Sequence, residues 1–320
     1  MNPRVVSTAS LLIDLPITVA HLPERGGDVL GGAAQPTPGG GFNIVAAAAR
    51  QGAEVGFLSP IGIGRNGELG RSALAAEGIL PLGRDDGAED TGFCVTLTEP
   101  DGERTFVTVP GAESRVSPAD LPRGLVGSDD IVFVSGYDLC YAGSGPALAA
   151  WVAELPPDAL VVFDPGPLVA DIPEELLEPV LRRCDLCSVN EREAEILWTV
   201  SFAGTADPAA VARAQLGKIR ARLGASTQVL LRIGPAGCLV IGESVRLVPS
   251  IRVTMVDATG AGDAHAGVLM ARLAAGDSLL AAVYAANVAA ALTVTRHGPA
   301  TSPSADELER ACAARPTPTS

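Results

Sequence analysis

Aromatic residues are scarce in this chain, 4% of 320, although 47% of the residues are apolar. A core is affordable, but it has to be built from Ala, Val, Leu and Ile. Positive charge is also short: 23 Lys and Arg stand against 37 Asp and Glu, a formal net charge of −14. Nucleic-acid binding depends on basic side chains that neutralise phosphates, so that partner is excluded. No apolar run approaches the roughly 20 residues of a membrane-spanning helix, which excludes a membrane partner. Residues 5–15 are apolar but broken by Ser7, Thr8 and Asp14, and they lack the basic leader of a signal peptide. The six cysteines are scattered, and only Cys184 and Cys187 form a CxxC. Without a second pair or suitably spaced histidines this is not a metal site. Buried thiols in a reducing cytoplasm are expected instead.

Strand-like and helix-like segments alternate along the chain, which predicts an α/β fold with a mostly parallel sheet covered on both faces. Strands are expected over 5–12, 54–58, 131–135, 160–163, 186–189, 227–233 and 250–256. Helices are expected over 44–51, 69–77, 148–154, 176–182, 208–223, 264–275 and 279–294. The run 131–135 is continuously apolar, as in a strand buried on both faces. Residues 91–109 differ: they alternate like a hairpin around Asp101 and Gly102. The tail from 313 reads as disordered.

The most specific stretch is DATGAGDAHAG, residues 257–267. Gly260, Ala261 and Gly262 form a small-residue turn that opens a helix. The first N–H groups of a helix lack internal partners and carry the positive end of its dipole, so an anion can sit there. Asp263 follows at once. A carboxylate beside a bound phosphate makes sense if it touches a hydroxyl that attacks the phosphate. Amide donors for a transferring phosphoryl group next to a proton acceptor are a kinase arrangement. His265 lies two residues from this acid and faces another side of the helix, so packing is its expected role.

This stretch resembles the C-terminal signature of the ribokinase-like, or PfkB, family of carbohydrate kinases. PGGGFNIVAAAARQGAEV around Asn43, NERE at 190–193 and AANVAAALTVTRHG at 285–298 match further signatures of that family in order. The resemblance covers most of the chain. It implies a three-layer α/β sandwich, with one kinase domain over 1–312 and a small β-sheet lid formed by parts of 13–37 and 91–110. It implies an ATP-dependent kinase acting on a hydroxyl of a small uncharged sugar or, alternatively, of a nucleoside. Asp14 and Asn43 would hold substrate hydroxyls, with Gly39, Gly40 and Gly41 allowing close backbone approach. Asn190, Arg232, Gly234, Gly237 and Asn287 would line the nucleotide, and Glu193 would order Mg²⁺ through water. In some relatives a monovalent cation such as K⁺ binds beside Asp257 and the turn at His297 and Gly298. A homodimer through the lid is a further implication. Pro38 departs from the family pattern. Asp28, Arg104 and Asp138 do not separate from surface charges, and Arg104, near the hairpin turn, is expected to be exposed.

Two other readings stay open on the residues. Gly62, Gly64 and Gly67 spell GxGxxG, the form of a dinucleotide site, with Asp85 and Asp86 about 20 residues on; an NAD-dependent oxidoreductase would follow from it. A sugar-binding protein without catalysis is the other.

Overall fold

The computed structural model describes residues 3–32 and 35–314. A nine-stranded sheet forms its centre. From edge to edge its strands are Val245–Val248, Cys238–Ile241, Gln228–Arg232, Leu186–Asn190, Leu160–Asp164, Ile131–Ser135, Val5–Ser7, Val55–Phe57 and Leu80–Pro81. Pairing is parallel except at the two junctions made by the hairpin strands Cys238–Ile241 and Val245–Val248. Successive side chains point to opposite faces of a strand, and the core divides accordingly. Val132 and Val134 pack on one side with the helices Gly145–Ala153, Glu174–Arg183 and Glu191–Trp198. Ile131 and Phe133 pack on the other with Gly41–Ala49, Ala261–Ala274 and Leu279–Thr293. Helices, sheet and helices make the three layers expected from the sequence.

Residues 5–12 form two strands, not one. Val5–Ser7 belongs to the large sheet, and Leu11–Thr18 belongs to a second, four-stranded sheet with Thr37–Gly40, Phe93–Thr98 and Arg104–Val109. The chain leaves the large sheet at Thr8, whose N–H still donates to the Phe133 carbonyl (3.1 Å), and Ser10 turns to accept from Gly41 N–H (2.7 Å). The small sheet draws on parts of 13–37 and 91–110, the stretches expected to form the lid. Ala33 and Ala34, within the stretch assigned to it, lie outside the described residues.

Three further expectations are corrected. Residues 250–256 form no strand. The hairpin ending at Val248 already occupies the sheet edge, and Val256 and Asp257 instead donate their N–H groups to the Val294 carbonyl (2.7 and 3.1 Å). The helix expected over 208–223 breaks at Gln215 into Pro208–Ala214 and Leu216–Arg220. A last helix, Ala305–Ala313, was not foreseen; of the expected tail, 315–320 lie outside the described residues. No helix among the described residues is long and apolar enough to cross a membrane. All six cysteines are free, with Cys184 and Cys187 buried in the core.

Candidate active site

Parallel strands end on the same side of a sheet, and their carboxyl ends are where α/β folds place functional groups. Four adjacent strands here end in Ser135, Asp164, Asn190 and Arg232, with Ser135 in register with Asp164 and Asn190 with Arg232. Above them lie two cavities. One, of about 330 Å³, is lined by Ser10, Asp14, Gly40, Gly41, Phe106, Tyr137, Asp164, Glu193 and Asp263 among others. The second, of about 930 Å³, is lined by Asn190, Gly234, Gly237, Ser250, His265 and Asn287 among others. Arg232 and Gly262 line both, so the cavities meet at the N-terminus of the helix Ala261–Ala274.

That helix begins as the sequence predicts. Gly260 is its left-handed N-cap (φ 77°), a conformation glycine adopts without penalty, and a Cβ there would strike the Pro299 carbonyl. The Ala261 amide makes one long bond (3.4 Å) to the Ala258 carbonyl. Among the described residues, the Gly260 and Gly262 amides have no protein acceptor. Asp263 faces the smaller cavity. Gly267, one turn on, has no room for a Cβ against the Ile44 carbonyl and Ala47, so this helix and Gly41–Ala49 press together backbone to backbone. The close approach brings Asn43 Nδ2 within 2.9 Å of Asp263 Oδ2. Among the described residues the buried Asn43 Oδ1 has no hydrogen-bond partner.

The glycine run has three separate causes. Gly39 leaves the space that the Asp14 carboxylate fills, Gly40 has φ 57°, and Gly41 lies against the Ala9 backbone. Asp14 sits within a lid strand rather than at the end of the first strand, and its carboxylate still reaches the smaller cavity. Burial, then the charge of Asp263, raises its pKa to about 6. Burial likewise raises Asp263 to about 6; Asp164 adds to the rise, while Asn43 and Arg232 oppose it. The cavity therefore holds carboxylates that give up protons only above the ordinary carboxylate range.

Arg232 stands at the junction. Its Nη1 donates to Asp164 Oδ2 (2.8 Å) and its Nη2 approaches Glu193 Oε2 (3.3 Å). A Cβ at Gly262 would come within 3.1 Å of Nη1, so the missing side chain lets the guanidinium lie against the helix start. Burial works against its charge, but Asp164 and Glu193 override that and raise its pKa. Sequence reasoning missed Asp164. A carboxylate closing a parallel strand was the available signal.

Asn190 and Glu193 form a capping box: Asn190 Oδ1 accepts from Glu193 N–H (2.9 Å), and Glu193 Oε2 accepts from Asn190 N–H (2.8 Å). Asn190 Nδ2 also donates to Glu193 Oε1 (2.7 Å). Asn287 spends its amide on the carbonyls of Val248 (2.9 Å) and Pro249 (3.3 Å), anchoring one wall of the larger cavity. His265 is buried beside it. Among the described residues neither ring nitrogen has a hydrogen-bond partner within reach, and burial, then Arg232, lowers its pKa to about 3 against an opposing pull from Asn287. The imidazole is neutral and borders the larger cavity.

Asp257 is spent on structure. Its Oδ1 accepts from Thr259 N–H (2.9 Å) and Thr259 Oγ1 (2.6 Å), and its Oδ2 accepts from Gly298 N–H (3.1 Å). Arg104 Nη1 completes the set at 3.2 Å. Although burial disfavours the charge, these bonds and Arg104 hold the Asp257 carboxyl below the usual range. Arg104 is thus not the exposed turn residue expected from sequence; its side chain is 25% exposed and reaches from the lid to the helix start. Asp138 is buried behind the smaller cavity and bonded to Ser10, and burial raises it to about 7.

The GxGxxG segment has no anion site. Gly64 does cap the helix Arg65–Ala76, but the Asp90 carboxylate already fills that N-terminus, accepting from Asn66 N–H (3.0 Å) and Gly67 N–H (2.8 Å). A pyrophosphate would have to displace it. Asp86 is instead ion-paired to Arg115 (2.8 Å).

An acidic pocket joined to a larger one at a helix N-terminus is an arrangement suited to phosphoryl transfer onto a small molecule. The family model for pfkB family carbohydrate kinase matches residues 2–306, and the chain belongs to that family. It is 33% identical over 306 residues to the uncharacterized sugar kinase YegV of Escherichia coli (strain K12), covering 95% of this chain and 92% of that one. It is 30% identical over 305 residues to a ribokinase of Haemophilus influenzae, covering 93% and 94%. Among solved structures, a putative ribokinase II from E. coli in complex with ATP and Mg²⁺ superposes with a TM-score of 0.77 at 22% identity, covering 98% of this chain and all of that one (100%). The protein is a sugar kinase with a ribokinase-like fold, and nothing in the comparisons supports an oxidoreductase.

Proposed function

We propose that this sugar kinase transfers the γ-phosphoryl group of ATP to a hydroxyl of a small uncharged sugar. The observation that carries the reading is the meeting of the two cavities at Gly262 and Arg232, with Asp263 on the smaller side. An acceptor in the smaller cavity would be held by Asp14 and Asn43, with Gly39, Gly40 and Gly41 admitting it close to the backbone. Asp263 orients the attacking hydroxyl and takes its proton late in the transfer. The amides of Gly260, Ala261 and Gly262 stabilise charge on the phosphoryl oxygens. Nucleotide would occupy the larger cavity against Asn190, Gly234, Gly237 and Asn287, with Arg232 at its phosphate end.

Among the described residues no group of His, Cys, Asp and Glu forms a metal cage. Mg²⁺ would be carried on the triphosphate, with Glu193 and Asp164, which line the smaller cavity beside Arg232, as the oxygen donors that reach it through water. Bound there, Mg²⁺ would neutralise phosphate charge. The Asp257 carboxylate is already engaged, so K⁺ at that place would take main-chain carbonyls of Asp257 and the turn at His297 and Gly298.

An uncharged acceptor is supported by the charges of the smaller cavity. Asp14, Asp164, Glu193 and Asp263 face it, and its Arg232 is already paired. A phosphorylated sugar would find repulsion and, among the described residues that line the cavity, no unpaired cation. A nucleoside acceptor is the second reading, favoured by Phe106 (58% exposed) and Tyr137 (39%) on the cavity wall; Phe42 is buried and offers no such surface. The intact Asp263 with free amides beside it speaks against a silent binding protein. Residues 1–312 act in this reading as one kinase domain. The lid edge strand Arg104–Val109 exposes Phe106, Val107 and Val109, which supports pairing of two chains through the lid. Six unpaired cysteines are in keeping with the cytoplasm.

A panel of neutral sugars, phosphosugars and nucleosides assayed by coupled ADP release tests the proposal. A neutral sugar should give the highest kcat/KM, at least about 100-fold above its phosphate ester, as expected when a buried like charge is unpaired. A nucleoside at the top of the ranking selects the second reading. ADP release with no acceptor would sink both.

A further inference from the structure

Ser10, Leu12 and Asp14, alternate residues of the segment that enters the lid, all line the smaller cavity. The Ser10 carbonyl holds Gly41 N–H (2.7 Å), which fixes Ser10 against the glycine run. Its hydroxyl is committed on the far side, where Ser10 Oγ donates to Asp138 Oδ1. Asp138 is 1% exposed and lies on the short helix Gly136–Cys140, behind the cavity residues Tyr137 and Tyr141. Among the described residues its Oδ2 has no hydrogen-bond partner. The titratable groups that face Asp138 are Glu113, Tyr141 and Cys140, and none is a cation. A buried carboxyl without a cation costs stability. Its effect on Ser10 is what it offers in return. A hydroxyl has one hydrogen and two lone pairs, and with the hydrogen taken by Asp138 only lone pairs of Ser10 are left for the cavity.

We propose that Ser10 selects the acceptor and that Asp138 is its positioning residue: the carboxylate holds the Ser10 hydrogen, so the acceptor must bring a hydroxyl that donates to Ser10 Oγ. A ring oxygen or a carbonyl at that place would set lone pairs against lone pairs, and a deoxy position would leave the oxygen unmet. Protonation of Asp138 reverses the roles. Its O–H then donates to Ser10, and the Ser10 hydrogen turns to the cavity. Burial brings that change to about pH 7 against the pull of Ser10, with the charge of Glu113 adding to the rise. The inference rests on the reading of the smaller cavity as the acceptor site of a kinase.

The probes are the neutral sugar with the highest kcat/KM and its analogues in which one hydroxyl at a time, other than the phosphorylated one, is replaced by fluorine, which has lone pairs but no hydrogen to donate. At pH 8 one analogue should lose at least about tenfold in kcat/KM with the wild type and less than about threefold with Ser10→Ala, the scale of one hydrogen bond. At pH 6 the wild-type loss at that position should shrink. With Asp138→Asn, which does not titrate, the loss should be the same at both pH values within about twofold. Comparing two sugars on one enzyme cancels the titration of Asp14 and Asp263 near 6, which acts on both. A series that Ser10→Ala leaves unaltered would overturn the proposal while the kinase reading stands. So would a wild-type loss that is the same at both pH values, or that shrinks equally with Asp138→Asn, since Asp138 would then be structural. A wild type that phosphorylates no neutral sugar defeats the sugar-kinase reading and this inference together.

Discussion

In the proposed transfer Asp263 meets opposing demands. It would have to be ionised to accept a proton, yet burial and neighbouring Asp164 favour its neutral form and bring its pKa to about 6. Raised basicity makes it a stronger acceptor at neutral pH than an ordinary carboxylate. Two consequences follow from this one residue. Asp263→Asn should lower kcat at least about 100-fold, within the range for a lost general base, with acceptor KM changed by less than about threefold. Wild-type kcat/KM should climb with pH through about 6 and level off above it, because the ionised form is the active one. Steady-state rates from pH 4.5 to 8.5 read both, and a flat profile would remove Asp263 from the proton transfer. Residues whose chemistry needs close sequence neighbours, such as Asp263 behind its glycine turn and Asn190 three before Glu193, were legible from sequence. Arg104 was not, because its partners Asp257 and Thr259 lie about 150 residues away and no local spacing announces them.

Helices and strands place these groups through backbone contact. Asn43 reaches Asp263 because Gly267 lets Ala261–Ala274 settle against Gly41–Ala49. A methyl group at Gly267 would have to open that interface. Gly267→Ala should cost about 1–3 kcal/mol in urea unfolding, the usual scale of overpacking. It should also lower kcat more than tenfold by lengthening the bond from Asn43. Wild-type kinetics in a destabilised Gly267→Ala chain would show that the interface does not set the site. The same scale explains where sequence reading lost its footing. Residues 250–256 have the alternation of a strand, but an alternating segment pairs only if a sheet edge is free, and the Val245–Val248 strand had taken it. Residues 5–12 have a continuous strand pattern, and no local feature marks Ser10 as the point where the chain passes from one sheet to another. The GxGxxG helix looked like an anion site until Asp90, 23 residues after Gly67, proved to occupy its N-terminus.

Across the whole molecule the shifted carboxylates sort by place. Most of those raised above their ordinary values, Asp14, Glu193 and Asp263 with Asp138 behind them, gather at the smaller cavity; Glu113, raised by burial against the Gly92 and Gly111 amides, stands apart from it. Many of those lowered, such as Asp90 and Asp120, tie loops and caps elsewhere. The two groups act on stability in opposite senses. A raised carboxyl binds its proton more tightly folded than unfolded, so its stabilising contribution is complete below its unfolded pKa and is lost as pH rises through its folded pKa, about 6 for Asp14 and Asp263. A lowered one contributes above its unfolded pKa and loses that contribution as pH falls. The active site is therefore a source of instability at neutral pH, held in place by the rest of the fold. Asp14→Asn and Asp263→Asn combined should raise Tm at pH 8 by roughly 4 °C or more, and the gain should vanish near pH 4, where both acids are already protonated. Asp90→Ala should lower Tm at pH 8, with a deficit that shrinks on acidification. Scanning calorimetry across that range separates the cases. A double variant no more stable than the wild type at pH 8 would mean that the cavity charges are relieved by water and counterions, and the reading of the smaller cavity as a repulsive site for anionic sugars would lose its electrostatic basis.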